Sequence, residues 1–143
     1  MKNVIAFFCG VALLFALPFL SNNNFNLENY EKVVLVAETE IDGCQSIQNG
    51  NDFYSTFTDK TWQKHSLSSK AVIFYFNDFD FSSFAKSCDE IYRCEDIDGN
   101  SVYEGFYKDY LKSCFVNGKK VNFQLAIKGK TAILGFPMIV VGF

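Results

Sequence analysis

His65 is the single histidine of this chain, and Cys44, Cys88, Cys94 and Cys114 follow a first cysteine, Cys9, near the amino terminus. A nucleophilic Cys–His pair needs a free thiolate beside an imidazole that a third group orients. The cysteines here read better as bridges, and "QKHSLSS" reads as a helix end or loop, so His65 is expected at the surface rather than in catalysis. Zinc is not expected either. Cys88 and Cys94 stand further apart than a zinc ligand pair usually does, and one histidine cannot complete a second pair.

Oxygen ligands are denser. In "CEDIDGN", Glu95, Asp96, Asp98 and Asn100 surround a turn at Gly99, the kind of donor set that holds a hard cation such as calcium. The register argues against it, because an EF-hand count from Gly99 puts Cys94 and Gly105 where acids are required. A solvated turn is the expectation, with calcium as a minor candidate. Asp78 and Asp80 in "FNDFDF" are a possible carboxylate pair for acid–base chemistry. They read more simply as solubilising charges on a loop after a buried strand. No metal or cofactor is implied, and no catalytic residue is assigned.

Aromatics carry a different chemistry. Phe74, Tyr75, Phe76, Phe79, Phe81 and Phe84 are expected mainly in the core. In "SVYEGFYKDY", Tyr103, Phe106, Tyr107 and Tyr110 mix rings with charges as protein interfaces do, so these four are the interface candidates.

The elements that must position these residues can be read along the chain. "KVVLVAET" at residues 32–39 is a strand, and "DGC" at 42–44 is a turn. "NDFYSTFTDKTWQK" at 51–64 places Phe53, Tyr54 and Phe57 on one helical face behind an Asn51 cap, predicting an amphipathic helix. "KAVIFYF" at 70–76 is a strand apolar on both sides and hence central. "SSFAKSCDEIY" at 82–92 predicts a short helix capped by Ser82.

"KKVNFQLAI" alternates, with Val121, Phe123, Leu125 and Ile127 on a buried face and Asn122, Gln124 and Ala126 on the other. Asn117-Gly118 precedes it as a hairpin turn. "KGK" at 128–130 is a second turn, and "TAILGFPMIVVGF" a strand whose Pro137 suggests an edge or a bulge. The carboxyl-terminal third therefore reads as an antiparallel meander.

Residues 4–20 form an uncharged apolar run behind Lys2. As a helix this run would span about 26 Å, the lower edge of a membrane span and slightly long for a secretory core. Neither a cut after Ser21, with Phe19 three positions back, nor one after Ala16, with Leu14 there, has the small-residue pattern of signal cleavage. The balance favours an uncleaved anchor over a removed signal peptide. Lys2 before the run, and Glu28 and Glu31 after it, direct residue 22 onward across a membrane, to be anchored outside the cytoplasm or secreted.

A formal charge of −3 argues against nucleic acid as a ligand, since a binder needs a basic face to replace phosphate counterions. The apolar content of 49% and the 17 phenylalanines are ample for a core. Four cysteines outside the leader suit an oxidising compartment and permit three pairings. The expected arrangement is a short Cys88–Cys94 loop and a long Cys44–Cys114 bridge, the latter contributing about 4 kcal/mol by chain entropy.

The strand "AVIFYF", a following loop and helix, and the later "GFPMIVV" resemble the outline of a thioredoxin-like domain. The resemblance implies a redox loop near Asp80–Ser83, where this chain reads "DFSS", so it would be a degenerate, redox-inactive member.

The expectation is thus an α+β protein: a signal or anchor at 1–21, a polar tether at 22–31, and one disulfide-stapled domain at 32–143. That domain would have helices packed on an antiparallel sheet, with a degenerate thioredoxin-like α/β fold as the alternative. Its expected function is non-enzymatic binding of another protein, within a membrane complex held through residues 4–20. The alternative is a secreted enzyme or redox-inactive domain with an unrecognised site.

Overall fold

The computed structural model describes residues 27–139 except 109, 111, 112 and 117. The leader, and with it the signal-or-anchor expectation, lies outside the described residues. Among the described residues no helix is long and apolar enough to cross a membrane.

Ten strands dominate: β1 (Lys32–Ala37), β2 (Gln45–Asn49), β3 (Asp52–Phe57), β4 (Ala71–Phe76), β5 (Cys88–Ile97), β6 (Asn100–Tyr107), β7 (Cys114–Val116), β8 (Lys119–Val121), β9 (Phe123–Lys128) and β10 (Thr131–Phe136). Eight of them form one sheet in the order β2-β3-β1-β4-β10-β9-β6-β5, and β7-β8 is a separate ribbon. Every pairing is antiparallel. A 3₁₀ turn (Lys60–Lys64) and one short helix, α1 (Phe81–Lys86), complete the described elements.

The α+β expectation is therefore corrected to a mostly antiparallel β fold with one lone helix. The thioredoxin-like alternative also fails, because that architecture needs parallel pairing around its central strand and none is present among the described residues.

The expected helix at 51–64 is strand β3 followed by the 3₁₀ turn. Phe53, Tyr54, Thr56 and Phe57 are aromatic or β-branched, types that pack well on a pleated surface. Gly50, at φ +63°, opens a two-residue turn that delivers β3 back onto β2, and β1 pairs along its other side. Tertiary pairing on both edges outweighs a helical spacing that was only locally favourable.

The expected helix at 82–92 stops at Lys86. Asp80, not Ser82, is its cap, accepting from Ser83 N at 3.1 Å and from Ser83 Oγ at 2.6 Å. Cys88–Tyr92 belong instead to β5, folded onto β6 through Asp98 (φ +51°) and Gly99 (φ +80°). Positive φ at both central residues is the requirement of a type I′ turn.

The turns at Gly43, Gly118 and Gly129 are present, each glycine at positive φ, while Asn117 lies outside the described residues. β4 is central as expected. The last strand is not an edge, however. β10 lies between β4 and β9, joining the half-sheet β2-β3-β1-β4 to the half-sheet β9-β6-β5, and Pro137 falls just past its end. The expected meander is thus split into the separate β7–β8 ribbon and a β9–β10 hairpin in the main sheet.

One face of the sheet carries the main core. Phe74 sits near its middle, with ring centroids 5.4 Å from Tyr30, 5.2 Å from Trp62 and 5.9 Å from Phe136. Trp62 Nε1 donates to Tyr30 Oη at 3.1 Å, so residues from the expected tether are part of the packing. α1 contributes Phe84, whose ring lies 5.1 Å from Phe123 and 5.6 Å from Tyr107. Each such ring stabilises by about 2–3 kcal/mol through burial, with a further ~0.5–1.5 kcal/mol for favourable ring pairs.

The opposite face is smaller: Val34, Val36, Ala71 and Ile73, flanked by Tyr54, Tyr75 and Ile133. Past β10 the chain doubles back over Gly135, and Ile139 N donates to Gln124 Oε1 at 3.1 Å.

Candidate interaction surface

Sheet alternation splits β6 cleanly. Tyr103 and Tyr107 point to the core side, whereas Glu104 and Phe106 point to the other. Their partners on β5 are Tyr92, opposite Glu104, and Glu90, opposite Phe106. Tyr92 Oη donates to the Glu90 carboxylate, tying these two side chains together.

The β7–β8 ribbon lies beside this patch. Lys119 Nζ stands 4.1 Å from the centroid of Tyr92, and Lys120 Nζ 5.9 Å from that of Phe106. Such contacts contribute about 0.5–1 kcal/mol at exposed sites and bias the lysines toward these rings. Beyond them Phe115, in the middle of β7, is 75% exposed. The result is one surface: half-buried rings at Tyr92 and Phe106, cations above them, and a projecting aromatic.

Asn122 anchors the ribbon to the sheet. It separates β8 from β9 and is fully buried, although alternation had assigned it to the polar face. Its Oδ1 accepts from Tyr107 N at 2.6 Å, and its Nδ2 donates to Tyr107 O at 2.7 Å and Tyr110 O at 2.9 Å. A buried amide with all three contacts made is what such a position requires.

Of the four interface candidates, two are core. Tyr107 is 1% exposed and Tyr110 is 8% exposed with its hydroxyl donating to Phe136 O at 3.4 Å. Both are corrected on that ground. Phe106 belongs to the patch, and Tyr103 is half-buried on the core side against Phe81 at 5.0 Å. Phe115, Tyr92, Lys119 and Lys120 were missed. The signal for Phe115, Lys119 and Lys120 was the Asn117-Gly118 pair, which marks a short ribbon around them, while Tyr92 on β5 carried none.

The calcium candidates do not converge. Glu95 and Asp96 are consecutive on β5 and so face opposite sides. Arg93 donates to Asp96 at 2.9 and 3.2 Å, holding that carboxyl below the usual range. Asp98 serves the turn, and Asn100 Nδ2 donates to Ile97 O at 3.1 Å. Among the described residues no group of His, Cys, Asp and Glu is placed to hold a metal ion.

Asp78 and Asp80 line a cleft of about 440 Å³ with Glu28, Ser83 and Ser87. The hydrogen bonds from Ser83 lower the Asp80 pKa, the opposite of what a general acid needs. His65 ends the 3₁₀ turn, its N–H donating to Trp62 O and its ring stacked 6.0 Å from Phe57.

The disulfide expectation is overturned. Cys44, Cys88, Cys94 and Cys114 are all free, and no two lie at bridging distance. Cys88 and Cys94 share strand β5, and six residues of extended chain separate Cα atoms by about 20 Å, against the ~7 Å limit for a bridge. Cys44 precedes β2 at one edge of the sheet, while Cys114 lies in the β7–β8 ribbon near the other.

Cys88 and Cys94 are also protected chemically. Burial, and secondarily the Asp89 charge, pushes Cys88 up to about 12. Burial, then a hydrogen bond and charge from Glu104, raises Cys94 to about 11. Alkylation without reductant under denaturing conditions is expected to modify all four, and Cys9 as a fifth where the leader is retained, as intact mass would show. In the native state, Cys88 and Cys94 should label slowly at pH 8 and faster by about tenfold per pH unit above it. Because their folded pKa values are raised, the stability they contribute is present below pH about 9 and declines above it, which a series of thermal melts would detect.

Fold and surface together define an antiparallel β domain carrying a cation-and-aromatic patch at one end of its sheet. Comparison with family models, curated proteins and solved structures finds no match.

Proposed function

We propose that this chain is a non-enzymatic protein-binding domain, carried to a membrane by residues 4–20 and acting there as a subunit of a larger assembly. The observation that supports it is Phe115, 75% exposed beside Lys119, Lys120, Tyr92 and Phe106. Aromatic side chains flanked by polar groups are the usual anchors of interfaces, and one such residue commonly dominates the binding energy. The acids Glu90 and Glu104 below the lysines favour a partner surface of mixed charge with an apolar recess.

Export rests on the leader alone, since the free thiols lend it no support. The reading of Asp80 as a helix cap favours binding over hydrolysis.

Phe115→Ser and the pair Lys119→Glu with Lys120→Glu provide the test. Phe115→Ser should leave the melting temperature within about 2 °C of wild type, since an exposed side chain contributes little to folding. Copurification of the partner from native membranes should fall at least about tenfold, as for loss of a hot-spot residue. Equal recovery by wild type and Phe115→Ser would refute the surface.

A further inference from the structure

The two edges of the main sheet are built differently. β5 is long, interrupted by register shifts between Cys88 and Glu90 and between Arg93 and Glu95, and carries Asp89, Glu90, Arg93, Glu95 and Asp96. Bulges and charges are how natural sheets prevent an edge from pairing. β2 has neither. Its sequence is QSIQN, with regular pairing to β3 and no charged residue, and Ile47 at its centre is 65% exposed.

Register determines which main-chain groups β2 offers. Asn49 and Asp52 close a two-residue turn, so they form a hydrogen-bonded pair, and such pairs alternate along the hairpin. Gln45, Ile47 and Asn49 therefore direct their N–H and C=O groups to β3. Ser46 and Gln48 direct theirs outward.

Side chains follow the same alternation. Ser46 faces the core side, bonded to Ser55 Oγ at 2.8 Å. Ile47 faces the other side, at the end of a cross-strand row through Tyr54, Val36 and Ala71.

We infer that β2 pairs with β2 of a second copy of this chain, antiparallel and centred on Ile47. A twofold axis at Ile47 sets Ser46 opposite Gln48 of the second copy, and Gln48 opposite Ser46. Each pair exchanges two main-chain hydrogen bonds and satisfies all four outward groups. The two Ile47 side chains meet in a non-hydrogen-bonded position, where Cα atoms come within about 4.5 Å and side chains pack closest. Gln45 meets Asn49, so no like charges oppose within the strand. The apolar row then continues from one sheet into the other.

A second copy is favoured over a foreign peptide because the strand matches itself in register, polarity and the position of its one apolar residue. The contact is small, below the ~1,200 Å² of standard interfaces, so the dimer is transient, with a dissociation constant of about 10–500 μM. Since β2 and β5 are opposite edges, the two Phe115 surfaces end up at the far ends of the dimer. Two-point attachment to a partner would follow.

The test is light scattering of the full chain in detergent over about 5–500 μM, spanning the weak range expected for so small a contact. Wild type and Ile47→Val should show a concentration-dependent dimer; Ile47→Lys should weaken it at least about tenfold, by placing two cations on the axis. Leu67→Lys, another exposed apolar site, should dimerise as wild type does. Amide exchange provides the second readout: Ser46 and Gln48 should be protected only at high concentration, and Ile47, which faces β3, at both. A wild type that stays monomeric throughout, or an Ile47→Lys variant that dimerises as wild type does, would overturn the inference. So would amides of Ser46 and Gln48 indifferent to concentration.

Discussion

Asn122→Leu is expected to remove about 3–5 kcal/mol of stability, a large part of the ~5–15 kcal/mol that holds a domain of this size folded. Leucine keeps the γ-branching of asparagine but carries bulkier methyl groups, so overpacking at this buried site adds to the main loss. The main loss comes from the buried main chain of Tyr107 and Tyr110, which gives up three hydrogen bonds to the Asn122 amide, while Tyr107 O also accepts from Tyr110 N at 3.4 Å. Each hydrogen bond given up at a buried site costs about 1–3 kcal/mol. The Asn122 N–H to Gly105 O bond, at 2.9 Å, is untouched, so the chain path between β8 and β9 has one remaining restraint. Urea unfolding should show the shift in midpoint. Asn122→Asp gives a diagnostic pH dependence. Its carboxylate would face two carbonyl oxygens, raising its folded pKa, so stability should recover as pH falls and the acid becomes a donor. A loss under about 1 kcal/mol for leucine would mean that the polar contacts are dispensable.

Gly105→Ala should be nearly as damaging, by overpacking. A Cβ at this position would lie 2.1 Å from the Glu90 carbonyl oxygen and 2.9 Å from Phe123 Cζ. The phenylalanine tip can turn. The carbonyl belongs to the backbone of β5, which pairs Ile91 with Gly105 itself, so the strand must move. Overpacking alone costs about 1–3 kcal/mol, and displacing a paired strand takes the total to roughly 3 kcal/mol or more. Hydrogen exchange should show β5 and β6 losing protection first while β1 to β4 keep theirs. Gly129→Ala is the control, with φ +62° and open space around it. It incurs only the left-handed backbone penalty of about 1–2 kcal/mol.

The parts of this fold legible in the sequence are those where a single strand declares its own environment. β1 and β4 are continuous apolar runs, and the alternation of Phe123 and Leu125 marks the buried face of β9. Gly118 and Gly129 mark their hairpins by composition alone. What escaped depends on partners remote in sequence. Residues 51–57 carry aromatics spaced for either structure, and only pairing with β1 and β2 decides for a strand. Asn122 was misassigned because the alternation was carried through from Val121 to Phe123 as one strand, whereas the chain breaks there and turns its amide inward. An even number of cysteines indicates nothing about Cα distances, and two on one extended strand cannot meet.

The candidate surface was half legible for a related reason. Tyr107 and Phe106 are chemically alike and adjacent, so composition cannot separate a core ring from a surface one. The parity of β6 does, and that parity is fixed by its pairing with β9. Phe115 was overlooked because a three-residue strand offers too little alternation to read.

The binding role is tested most directly by photocrosslinking in the native host, with a benzophenone amino acid placed at position 115 and, separately, at position 67. The account predicts a discrete adduct of constant mass from position 115, absent from position 67, and suppressed by excess wild-type domain but not by Phe115→Ser. No adduct at position 115, or the same products from both positions, would contradict it.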